Sequence, residues 1–229
     1  MANRLRGRYG YPEDDPFRVM FHPDRLSEPR RWRKPRRVFV CSMGDFFHKD
    51  VQYEWQCAVL DEIQCNPKHT FQILTKRADR QADFFKHQQS LPVKMLGMEL
   101  PPANLWIGVT AENREQMIYR VSHLMYTPIH PMGGVRFISF EPLLENVGPI
   151  EDAAGDDWWE SGQQPMWVII GCETGPGARP CDIQWVRSIV GQCKAAGVAC
   201  FVKQLQINGK VSKNMNEWPE DLRVREYPK

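Results

Sequence analysis

The sequence has no C-x-x-C pair, no run of about 18 apolar residues of the kind a membrane helix needs, and no apolar core in its N-terminal MANRLRGRYG. The first absence argues against a disulfide framework. The other two exclude a membrane span and a secretory signal in these residues, so the expectation is the cytoplasm, or the host cytoplasm if the chain is phage-encoded. Seven cysteines, at positions 41, 57, 65, 172, 181, 193 and 200, are an odd number, and their separations match no zinc module. Cys41, Cys57 and Cys200 lie in apolar runs, where reduced cysteines serve as small hydrophobes. No Gly-Lys-Ser/Thr follows a glycine loop, so a Walker site is also missing.

What is present is an ordinary globular composition. The 229 residues are 42% hydrophobic and 25% charged, with a mean hydropathy of -0.52. One domain over 1–229 is expected, with a basic approach segment at 1–37, an acidic inserted loop at 150–165 and a C-terminal extension at 206–229. The net charge of +2 hides an asymmetry: residues 1–37 hold 11 Lys and Arg against 5 Asp and Glu, or +6, which leaves -4 for the remainder. The densest stretch, Arg30 to Arg37, has six cations and Trp32. Such a segment attracts a phosphate backbone or a partner protein, or else is a solvated surface loop.

Short apolar runs start near residues 38 (VFVC), 70 (TFQIL), 104 (NLWIGV), 135 (VRFISF), 166 (MWVII) and 199 (ACFV), at intervals of 31 to 34. That spacing leaves room for a helix and two loops, and uninterrupted apolar runs suit strands covered on both faces. Consecutive βα units follow. Asp50, Asn113 and Asp182 are expected N-caps, Gly197 a helix stop, and Asn208-Gly209 a hairpin turn. The stripes expected to be buried are Val51, Trp55, Val59 and Ile63 in the helix after the first strand, and Met117, Val121, Leu124 and Met125 in the helix after the third. Nearly constant spacing favours a partial TIM-like barrel of about six parallel strands over an open doubly wound sheet.

Both architectures put ligands at the C-terminal strand ends. Those ends read Ser42-Met43-Gly44-Asp45, Thr75-Lys76-Arg77, Thr110-Ala111-Glu112-Asn113, Ser139-Phe140-Glu141-Pro142, Glu173 to Pro180 and Lys203-Gln204. Asp45, Glu141 and Glu173 converging with Lys76 and Lys203 would position a substrate, or form a structural ring of salt bridges. The loop from Gly171 to Pro180 offers either an anion site at Gly175 and Gly177 beside Arg179, or a tight turn. His48 is a candidate base or a loop residue making one hydrogen bond.

Taken together and in order, HPDRL, WRKPRR, CSMGDFFH, FQILTKR, WIGVTAEN, RFISFEPLL, GCETGPGARP and FVKQ resemble a phage and bacterial family of three-cysteine-motif proteins related to radical SAM enzymes. The resemblance covers nearly the whole chain. It implies a partial βα barrel in which three closely spaced cysteines hold a 4Fe-4S cluster that reductively cleaves S-adenosylmethionine. Met1 to Leu5 resembles the helix that directly follows the three-cysteine loop. The first strand and the cluster ligands are therefore expected to be absent here, and this chain is not expected to bind the cluster.

The resemblance places Ser42 and Asp45 near the methionine amine of the cofactor, and Thr110, Ser139 and Glu141 near its ribose and carboxylate. Glu173, Lys203 and Lys76 are the candidate catalytic residues, and Arg77, Arg179 and Gln204 the candidate substrate contacts. Two functions are carried forward: a radical-SAM-like enzyme, and a non-catalytic module binding nucleic acid or protein through Arg30 to Arg37.

Overall fold

The computed structural model describes residues 5–90, 101–153 and 166–228. Seven strands form one sheet in chain order: β1 (Arg37–Val40), β2 (Thr70–Thr75), β3 (Leu105–Thr110), β4 (Val135–Phe140), β5 (Trp167–Gly171), β6 (Ala199–Ile207) and β7 (Lys210–Ser212). β1 to β6 are parallel neighbours, and β7 returns antiparallel to β6. Doubly wound sheets reverse their strand order at a switch point. Here each strand adds beside the one before, so right-handed crossovers put the described helices on the same face. The sheet curls into a half-barrel, the partial barrel that the spacing predicts.

Among the described residues four helices cover the convex face: α1 (Tyr53–Gln64), α2 (Ala78–Ser90), α3 (Arg114–Met125) and α4 (Ile183–Ala196). Asn113 caps α3 by accepting from Gln116 N–H at 2.8 Å, and Asp182 caps α4 by accepting from Gln184 N–H at 2.8 Å. Gly197 ends α4 with φ +67°, the left-handed conformation a side chain would resist. Asn208 and Gly209, with φ of 49° and 75°, make the tight β6–β7 turn.

The expected first helix needs correction. α1 starts at Tyr53, so Asp50 and Val51 lie outside it, and its N-cap Gln52 makes no side-chain cap bond. Its buried residues are Gln56, Leu60, Glu62 and Ile63; of the expected stripe Ile63 is in the core, Val59 packs half-buried against it, and Trp55 is half-buried under the approach segment, whose Phe21 stacks on it at 5.2 Å. The connection from β4 to β5 carries the segment expected as an acidic insertion. The described part of that connection holds only a 3-10 turn at Ile150–Ala153, and most of the expected acidic insertion lies outside the described residues.

The approach segment is docked. Arg30 forms a bidentate pair with Glu62, with contacts from 2.6 Å, and Glu62 is only 8% exposed at its side chain. His69 donates through Nε2 to Pro29 O and accepts at Nδ1 from Arg36 N–H, a pattern that assigns its tautomer. The seven cysteines are free, and among the described residues no helix is long and apolar enough to cross a membrane.

Candidate functional site

Alternation along the strands sends successive side chains to opposite faces of the sheet. Ile73, Ile107, Val109, Ile138 and Val202 enter the core beneath the helices. Their neighbours Trp106, Phe137, Trp167 and Phe201 cluster on the concave face. Gly108 makes room there, since a Cβ at that position would lie 2.5 Å from the Phe137 ring.

Above this aromatic floor, at the C-terminal strand ends, opens a cavity of about 710 Å³. Ser42, Asp45, Lys76, Arg77, Thr110, Ser139, Glu141 and Lys203 line it, together with the aromatic rings of Phe39 and Tyr227. Glu173, Arg179 and Gln204 do not. Gln204 is 1% exposed and stands behind Glu141, so it supports that carboxylate instead of meeting a ligand directly.

Each carboxylate of the rim has a cation. Asp45 accepts from Thr75 Oγ1 at 2.7 Å and Phe47 N–H at 2.9 Å through one oxygen, and from Arg77 at 2.6 Å through the other. It therefore ties the loop after β1 to the end of β2. Glu141, joined to Pro142 by a cis peptide bond, accepts from Lys203 Nζ at 2.9 Å and Gln204 Nε2 at 2.8 Å. Gln204 Nε2 also donates to Cys172 O at 2.9 Å. This pair crosses β5 where Gly171 lies, and a Cβ there would sit 2.8 Å from Gln204 Nε2.

Lys76 pairs with Glu112, whose other oxygen accepts from Arg120 at 2.9 Å. Burial raises the Glu112 pKa, but the Lys76 hydrogen bond and the charges of Lys76 and Arg120 outweigh it and hold the carboxyl below its ordinary value. Glu173 pairs within its own loop, accepting from Arg179 N–H at 2.7 Å and from both ends of its guanidinium. That hydrogen bonding drives its pKa down to about 2. Of the pairings expected from three carboxylates and two lysines, Glu141 with Lys203 is observed. Lys76 turns to Glu112, and Glu173 to Arg179, because guanidiniums and a fourth carboxylate share the same loops.

Arg179 is thus held by Glu173, and the left-handed Gly175 and Gly177 serve a loop closed on itself. His48 accepts at Nδ1 from Asp50 N–H at 3.3 Å, a local turn contact. Glu112 and Thr75 carried a signal, as polar residues at strand ends. Phe39 and Tyr227 had none, since neither stands at a strand end or in a motif.

The cysteines lack the character of cluster ligands. Burial, with the charge of Asp45, pushes the Cys41 thiol up to about 11, and burial pushes Cys181 up to about 12. Among the described residues no three His, Cys, Asp or Glu side chains are placed to hold a metal, so they do not fit an iron-sulfur cluster.

The fold and mouth define a class: a half-barrel of βα units with a charged, aromatic-floored cavity at the C-terminal ends of its strands. Within that class the chain belongs to the family described as protein of unknown function (DUF5131), whose model matches residues 1–223. No curated protein and no solved structure matches the chain.

Proposed function

We propose that this is a radical-SAM-like half-barrel whose mouth binds S-adenosylmethionine. The observation that supports this reading is the ring of ion pairs, in which the carboxylates are sheltered and the cations reach into solvent. The side chain of Glu141 is 24% exposed and that of Lys203 is 49% exposed. A zwitterionic amino-acid end suits such a pair. Its ammonium replaces the lysine on Glu141 while its carboxylate takes Lys203, rather than the amine meeting Ser42 and Asp45 as the resemblance implies, because Asp45 is already engaged by Thr75, Phe47 and Arg77; no buried charge is then left unpaired. Thr110 and Ser139 offer hydroxyls to a ribose, and the Phe39 and Tyr227 side of the cavity offers apolar surface to a base. Bound there, S-adenosylmethionine supplies an activated sulfonium carbon, and the protein's residues orient it and exclude water.

Isothermal titration with S-adenosylmethionine tests the reading. Saturable one-to-one binding is expected, weakened about tenfold, or ~1.4 kcal/mol, in Glu141→Gln and in Lys203→Ala. Wild-type protein that gives no heat at millimolar ligand would overturn it.

A second reading, nucleic-acid binding through Arg30 to Arg37, draws on the exposure of Arg33 and Lys34. It is weakened by the rest of that segment: Arg30 is bound to Glu62, and Arg36 and Arg37 lie over the rings of Trp32 and Tyr227. Oligonucleotide binding that falls steeply with salt and is lost in an Arg33→Ala, Lys34→Ala variant would favour it.

A further inference from the structure

The curl of the sheet leaves one side of the half-barrel open. Among the described strands β1 pairs only with β2, and β6 pairs with β5 and β7. Side chains cross the gap instead.

After Leu222 the chain runs back along β6. Val202 N–H donates to Val224 O at 2.9 Å, Glu226 N–H donates to Cys200 O at 2.8 Å, and Phe201 faces Arg225 as an antiparallel bridge. Trp167 Nε1 donates to Glu226 O at 2.9 Å. These bonds fix where Tyr227 leaves the strand. Its ring lies against the concave side, 5.4 Å from the Trp167 ring of β5 and 5.3 Å from the Phe201 ring of β6. From the opposite edge, Arg37 of β1 lays its guanidinium 3.7 Å from the centre of the same ring.

We propose that Arg37 and Tyr227 form a clasp that joins β1 to β5 and β6 across the open side and sets the width of the mouth. A guanidinium over an aromatic face is attracted by the ring quadrupole and stacks on it, so the contact resists separation of the two edges. Arg37 and Phe39 are two residues apart on one strand and share its concave face. The clasp therefore also places Phe39 beside Tyr227 in the cavity wall. Above Phe39 the chain continues to Asp45, while the strands that anchor Tyr227 lead to Lys203. Arg37 and Tyr227 act through these groups and are positioning residues. Their effect on ligand affinity rests on the S-adenosylmethionine reading above, whereas the clasp itself does not.

Hydrogen exchange read by mass spectrometry on the full chain separates the two. Arg37→Ala should speed exchange in residues 224–228 on the far edge, and Tyr227→Ala should speed it in β1. The double variant should add little to either single one. Tyr227→Phe, which keeps a ring under the guanidinium, should restore slow exchange in β1. Changes confined to the element that carries each substitution would overturn the clasp. Arg37 is exposed, so its replacement tests the contact even if Tyr227→Ala fails to fold.

In a second arm, titration with S-adenosylmethionine should show affinity reduced roughly threefold to tenfold in Arg37→Ala. An unchanged affinity in a binding protein would overturn the positioning role. A wild-type protein that does not bind S-adenosylmethionine removes the ligand reading, and the exchange result still decides the clasp.

Discussion

The two faces of the sheet are built from the same strands and differ in what they carry. The convex face is continuous hydrocarbon: Ile73, Ile107, Val109, Ile138, Phe140 and Val202 are all 0% exposed beneath the described helices. The concave face is aromatic at its base and charged at its rim, and Phe39 and Lys203 keep nearly half their surface in contact with solvent. A strand period of two separates stability from chemistry, so neighbouring residues answer to different demands. Ile107 and Gly108 show this within one strand.

The largest effect should come from the convex face. Ile107→Ala removes packed hydrocarbon that nothing can replace, and should lower stability by about 4 kcal/mol in urea unfolding. Ligand affinity of the folded fraction should not change. A loss under about 1 kcal/mol would mean that the convex layer is not the main core.

Gly108→Ala, one residue away, adds a methyl group against a Phe137 ring that is 1% exposed and has nowhere to move. A loss of about 2 kcal/mol is expected from overpacking. The same variant unfolding at the wild-type urea midpoint would show that the floor is loosely packed.

Glu112→Gln should lower stability by about 1 kcal/mol at neutral pH by removing the charge between Lys76 and Arg120. Its pH dependence has a definite sign. The folded pKa lies below the ordinary 4.5, so the stabilisation is fully present above that value and is lost as pH falls through the folded pKa. Unfolding curves of wild type and variant should therefore converge as pH falls from 4.5 through the folded pKa. Curves that stay apart there would show that the charge is not what matters.

The smallest effect should be at the surface loop. Glu173→Gln breaks a pair in which Arg179 is 59% exposed, and exposed pairs are largely screened by water and salt. No shift in the unfolding midpoint and none in S-adenosylmethionine affinity is expected. A drop in affinity would bring that loop into the mouth.

Much of the frame was legible in the residues. Six apolar runs at nearly even intervals marked six parallel strands, and Asn113, Asp182 and Gly197 marked helix ends, because a cap is a contact between residues two or three apart. Asp50 points to an earlier start for α1 than Tyr53, since a good capping residue does not begin a helix unless its neighbours turn with it. The rim was legible as a set of polar strand ends, but its pairing was not. Lys76 meets Glu112 across 36 positions and Glu141 meets Lys203 across 62.

The sequence by itself determined the repeat and the end of the sheet at which charge collects. Those follow from local propensity and from strand periodicity, which are properties of neighbours. Only the tertiary structure decided which cation meets which carboxylate, that Gln204 supports Glu141 from behind, and that Tyr227 returns to lie beneath Arg37. These depend on the curl of the sheet, which brings together residues whose separation along the chain gives no sign of their contact.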